Sequence, residues 1–129
     1  MKRILVVEDD NSLSVLLRLI MKVQQEDWDV SSAATGVEAL SQVEKFKPDL
    51  ILLDIMMPEM DGLEVARRLH NDERYKDQKI VILSALSDAD TQRKAKEAGV
   101  LEYWTKPISP DELRDGMLRV LGPDAVDLL

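Results

Sequence analysis

Five short apolar segments, each followed by an amphipathic stretch, limit this chain to very few folds. Ile4-Leu5-Val6-Val7, Leu50-Ile51-Leu52-Leu53 and Ile80-Val81-Ile82-Leu83 are continuous apolar runs with no polar alternation. A strand with one face in water alternates, and a strand covered on both faces does not. Residues 28–34 and 101–105 read as the second and fifth strands. The first helical stretch carries Leu13, Leu16, Leu17, Ile20 and Val23 on one face. The second opens with a Thr35/Glu38 capping box, carries Leu40, Val43 and Phe46, and stops at Pro48. Asp61 caps a third helix with Leu63, Ala66 and Leu69 inward. A fourth covers residues 88–98 and ends at Gly99. The fifth has Ser109 as cap, Pro110 first and Glu112 completing the box, with Leu113, Met117, Val120 and Leu121 inward. Such an alternation, joined by right-handed crossovers, predicts a doubly wound five-stranded parallel sheet in a three-layer α/β/α sandwich. One domain is expected over residues 1–122, with residues 123–129 as a short C-terminal tail or linker stub.

Composition narrows the function. The chain has 129 residues, of which 45% are hydrophobic, enough for one core. It contains no cysteine and a single histidine, His70, so thiolate chemistry and a multi-histidine metal site are excluded. No apolar run approaches the ~20 residues that span a bilayer, and Met1-Lys2-Arg3 leads into only four apolar residues, which is no signal peptide. A cytoplasmic protein is expected. The formal net charge of −8 disfavours nucleic acid and anionic membranes as partners.

Chemistry concentrates at the strand ends. The first run ends at Glu8-Asp9-Asp10, the third at Asp54, the fourth at Ser84, and the fifth at Lys106. In an open parallel sheet these ends share one edge, where ligands bind. Asp10 reads as a helix cap. Packed carboxylates repel, and one must protonate unless a cation sits among them. Oxygen-only ligands suit Mg²⁺. A carboxylate beside Mg²⁺ with a lysine nearby is equipped to accept a phosphoryl group.

Three segments carry a family likeness: residues 4–10 (ILVVEDD), 52–62 (LLDIMMPEMDG) and 103–107 (YWTKP). Together they resemble the receiver domain of bacterial two-component response regulators over residues 3–121. The resemblance implies the flavodoxin-like strand order 2-1-3-4-5. It implies Asp54 as phosphoacceptor, Asp9 as a direct Mg²⁺ ligand, Glu8 acting through a metal-bound water, and the Met56 carbonyl completing the site. Lys106 would contact the phosphoryl group, Ser84 would sense it, Tyr103 would be the aromatic switch, and the Lys106–Pro107 bond would be cis. The implied partners are a histidine kinase or histidine phosphotransfer protein and a downstream target on the face of the fourth helix, fifth strand and fifth helix. The implied state is a monomer or a phosphorylation-promoted homodimer, with no catalysis beyond its own phosphorylation and dephosphorylation.

Competing classes fare less well. No Gly-x-x-x-x-Gly-Lys-Ser/Thr supports a P-loop, and Met56 stands where a dehalogenase-type phosphatase needs a second Asp. Glu8-Asp9-Asp10 would repel a flavin phosphate. A non-phosphorylated pseudo-receiver is disfavoured because every site residue is present. The alternative that stays open is a receiver module belonging to a larger hybrid kinase or output-domain regulator. The fourth helix offers only Ala89, Ala95 and Ala98 as apolar contacts and is expected to be weakly held. Trp28 and Trp104 read as sheet packing, and Met56, Met57 and Met60 as loop packing. His70 reads as a solvated surface residue.

Overall fold

The computed structural model describes residues 1–24 and 27–122; the expected tail, residues 123–129, lies outside the described residues. Strands and helices alternate strictly: β1 (Arg3–Val7), α1 (Asn11–Gln24), β2 (Asp29–Ala33), α2 (Gly36–Phe46), β3 (Leu50–Leu53), α3 (Gly62–His70), β4 (Ile80–Ser84), α4 (Ala89–Glu97), β5 (Glu102–Thr105) and α5 (Pro110–Leu121). The five strands form one parallel sheet in the order β2-β1-β3-β4-β5.

The unbroken apolar runs are unbroken because both faces are covered. Leu5, Val7, Ile51, Leu53, Ile80 and Ile82 point towards α2, α3 and α4. Ile4, Val6, Leu50, Leu52, Val81 and Leu83 point towards α1 and α5. Trp28 is 1% exposed and belongs to the second of these cores.

Side-chain caps start the helices, at α2, α3 and α5 with the residues the sequence picks out, while Asp88, expected as the first residue of the fourth helix, is its cap. Thr35, Asp61, Asp88 and Ser109 each accept a backbone N–H three residues on. Asp10 accepts from Ser12 and Leu13. The Ser109/Glu112 box closes reciprocally, whereas Glu38 reaches back to the Ala34 N–H and not to that of Thr35. Charge follows the helix dipoles. Acidic residues occupy the first turns of α2 to α5, and basic residues the last turns of all five helices.

Two expectations need correction. The inward face of α1 is Ser14, Leu17 and Met21, flanked by half-buried Leu13, Arg18 and Ile20. Leu16 and Val23, expected inward, are 52% and 85% exposed, alongside exposed Val15 and Leu19. His70 is not solvated. Its ring is half-buried, with Nδ1 2.7 Å from the Ala98 carbonyl and Nε2 2.9 Å from the Gln78 carbonyl.

The fourth helix is held as weakly as expected. Within it only Ala95 is buried, against Leu63, Val65, Ala66 and Leu69 in the equally short α3. Burying a Leu or Val contributes about 1.5–3 kcal/mol, and an Ala only a fraction of that.

Candidate phosphoacceptor and metal site

The sheet ladder runs one residue past three strands and so fixes the site backbone. Glu8 N–H donates to Ala33, Asp54 N–H to Val7 and Lys106 N–H to Ser84, at 2.9–3.0 Å. Their side chains therefore start from rigid positions at one edge. Lys106 Nζ lies 2.5 Å from Glu8 Oε1 and 3.1 Å from Asp54 Oδ2. Carboxylate oxygens of Glu8, Asp9 and Asp54 all lie within 4.8 Å of one another. Glu8 and Asp54 are buried, at 4% and 5% exposure, while Asp9 is open to solvent. Gly62 is required here, because a Cβ would collide with the Asp54 carbonyl as α3 begins.

The electrostatics follow from this crowding. Burial pushes the Glu8 carboxyl up to about 7, with Lys106 opposing the rise and Asp54 adding to it. Burial alone would lower the Lys106 ammonium, but its hydrogen bonds to Glu8 and Asp54 raise it overall. The lysine stays charged across the physiological range.

Ser84 and Tyr103 sit beside this cluster, on β4 and β5. Ser84 is fully buried, and its Oγ accepts the Leu86 N–H at 3.2 Å. The Tyr103 hydroxyl donates to the Leu86 carbonyl at 2.6 Å, and burial raises its phenol while Ser84 acts the other way. The peptide bond between Lys106 and Pro107 is cis, as expected. Met56 N–H donates to Asp54 Oδ1 at 3.3 Å, and the Met56 side chain is 55% exposed, so of the three loop methionines it alone fails to pack. Asp10 is engaged as the α1 cap and leaves the cluster to Glu8, Asp9 and Asp54. Sequence reasoning missed Leu86, whose backbone is the shared anchor of Ser84 and Tyr103; no side-chain pattern announces a backbone role.

A doubly wound sheet with strand order 2-1-3-4-5 and a carboxylate–lysine cluster at its carboxyl edge defines a receiver-type signalling domain. The sequence pattern of the response regulator receiver domain matches residues 4–117, and the chain belongs to that family, the receivers of two-component systems. It is 35% identical over 121 residues to sporulation initiation phosphotransferase F of Bacillus subtilis, covering 93% of this chain and 94% of that protein. It is 37% identical over 120 residues to the alkaline phosphatase synthesis transcriptional regulatory protein PhoP of the same organism, but spans only 48% of its length. Among solved structures it resembles a chemotaxis protein CheY4 of Vibrio cholerae (TM-score 0.85, 28% identity, 93% of this chain and 98% of that one). A putative response regulator from Chloroflexus aurantiacus is equally similar in shape (TM-score 0.85, 31% identity, 93% and 97%). Response regulators work with histidine kinases and downstream targets. Among the described residues no helix is long and apolar enough to cross a membrane.

Proposed function

We infer that this protein is a phosphorylatable switch in which Asp54 accepts a phosphoryl group from a phosphohistidine of a histidine kinase or histidine phosphotransfer protein. The observation that carries the reading is Lys106 Nζ bridging Glu8 and Asp54 within a crowded, mostly buried carboxylate cluster. One ammonium cannot neutralise three carboxylates, and an all-oxygen donor set suits a hard divalent cation. The residues therefore fit Mg²⁺. Asp9, Asp54 and the Met56 carbonyl would hold it directly and Glu8 through water. When bound, it supplies neutralising charge to the phosphoryl oxygens.

In the transfer itself, an Asp54 carboxylate oxygen bonds to phosphorus as the phosphorus–nitrogen bond of the donor breaks. The electron pair returns to the donor's imidazole, which takes up a proton. Lys106 then turns from bridging carboxylates to holding phosphoryl oxygens. Ser84 is drawn towards those oxygens and releases the Leu86 N–H, and Tyr103 fills the space vacated. The output surface is the α4–β5–α5 face, where a groove of about 500 Å³ runs between α4 and β5 beside Tyr103. The donor protein must cover the acidic mouth, next to which α1 begins, with exposed Val15, Leu16 and Leu19 along its length.

Residues 1–122 act in this reading as a cytoplasmic receiver and residues 123–129 as a tail or linker stub. It functions as a monomer or a phosphorylation-promoted homodimer, with no nucleic-acid contact of its own. The length of PhoP beyond the matched region favours, as a second reading, a receiver serving a larger regulator. The test is incubation with Mg²⁺ and acetyl phosphate followed by intact-mass spectrometry. One phosphoryl group is expected on wild type and none on Asp54→Asn; equal labelling of the two would overturn the assignment.

A further inference from the structure

The ring of His70 is wedged between two elements that its own helix does not contain. Its Nδ1 faces the carbonyl of Ala98, the C-cap of α4, at 2.7 Å, and its Nε2 faces the carbonyl of Gln78, just before β4, at 2.9 Å. A carbonyl can only accept. A neutral imidazole has one N–H, so it satisfies one carbonyl and sets a lone pair against the other. Only the imidazolium donates to both. Two helix C-termini also converge here, that of α3, which ends at His70, and that of α4, and both favour a cation. The neighbouring residue makes room for the ring: Gly99 has φ 92°, and a Cβ there would run into Nδ1.

We propose that His70 is a proton-operated clasp that fixes the C-terminal end of α4 to the body of the domain. When the ring loses its proton, one carbonyl loses its donor and the grip on α4 weakens. The effect is large for this helix because α4 buries so little else. The charged groups nearby leave the ring to its carbonyls. On α4, Arg93 pairs with Asp90 and Glu97, Lys94 pairs with Asp90, and Lys96 is exposed. On α3, Arg67 and Arg68 pair with Glu64. In residues 71–79, Asp72 holds Arg74, Lys76 pairs with Glu73, Asp77 is exposed, and Lys79 donates to the Val120 carbonyl. Among the described residues none of these groups bonds to the ring. The clasp lies apart from the carboxylate cluster and makes the resting position of α4 a function of pH, whether or not Asp54 is ever phosphorylated.

His70 is the only histidine, so its ring nitrogens can be followed without assignment ambiguity. The experiment is a pH titration of unphosphorylated, ¹⁵N-labelled protein, reading ring nitrogen shifts and amide protection at Ala98, Gly99 and Val100 together. Protection factors, corrected for intrinsic exchange, are expected to fall about tenfold or more as the imidazolium signature disappears, because a charge-assisted bond is lost. In His70→Gln they should be low and independent of pH over the same range. Unchanged protection across the ring's titration in wild type would overturn the proposal. So would a His70→Gln variant that keeps the wild-type pH dependence.

Discussion

Ser84 and Tyr103 grip the two polar groups of one residue: Ser84 Oγ accepts the Leu86 N–H, and the Tyr103 hydroxyl donates to the Leu86 carbonyl. The segment entering α4 is therefore pinned from both adjacent strands. Tyr103→Phe removes one pin and keeps the ring. Loss of a partly buried neutral hydrogen bond should lower stability by about 1 kcal/mol. Hydrogen exchange over residues 85–88 should quicken, while labelling of Asp54 by acetyl phosphate is unchanged. Slower labelling would mean that the hydroxyl serves the chemistry and not only the switch.

Glu8 makes stability depend on pH in an unusual direction. A carboxyl raised from 4.5 to about 7 holds its proton more tightly folded than unfolded, so the folded state binds more protons between those values. Metal-free stability should then fall as pH rises from about 4.5 to about 7, by on the order of 1 kcal/mol or more. Mg²⁺ favours the ionised form, so its affinity should climb over the same window and the slope should flatten when it is saturating. Urea melts of wild type and Glu8→Gln, both in a His70→Gln background, isolate the effect. An unchanged slope in Glu8→Gln would refute it.

Lys47 and Glu59 hold left-handed backbone conformations, with φ 53° and 68°, that a side chain disfavours. Lys47→Gly and Glu59→Gly should each raise stability by roughly 0.5–1 kcal/mol, relief of the left-handed strain exceeding the added unfolded-state freedom. Chemical denaturation of each single variant checks this. Because Glu59 lies in the loop between Asp54 and α3, its variant should also keep wild-type labelling.

The exposed α1 stripe separates docking from chemistry. Leu19 is 58% exposed, so Leu19→Glu should change stability by less than about 0.5 kcal/mol and leave acetyl phosphate labelling intact. Transfer from a phosphorylated histidine phosphotransfer protein should slow. Equal rates from both donors would place the donor protein elsewhere on the surface.

The strands, the caps of α1, α2, α3 and α5 and the carboxylate–lysine cluster were legible in the sequence because each rests on a local pattern. Apolar runs mark buried strands, and a polar residue after such a run must land on the common edge. The face of α1 was harder. Its apolar residues at 13, 15, 16, 17, 19, 20, 21 and 23 nearly encircle the helix, so spacing alone could not say that small Ser14 faces inward. His70 left no trace at all. It stands one residue beyond Arg67-Arg68 and precedes Asn71-Asp72, like a surface residue, and its partners are backbone atoms 8 and 28 positions away. Backbone partners carry no residue code.

The placement of acids in first helical turns and bases in last turns has an effect at a distance. In a parallel sheet with helical returns, every helix starts at the carboxyl edge and ends at the opposite one. Glu38, Glu64, Asp90, Asp111 and Glu112 thus gather around the Asp54 side, while Lys22, Lys45, Arg67, Lys94 and Arg119 gather behind it. The domain is an oriented charge dipole as well as a net anion. A basic partner arriving by diffusion is turned mouth-first before contact, and that steering fades once the Debye length shrinks below ~10 Å near 0.1 M salt.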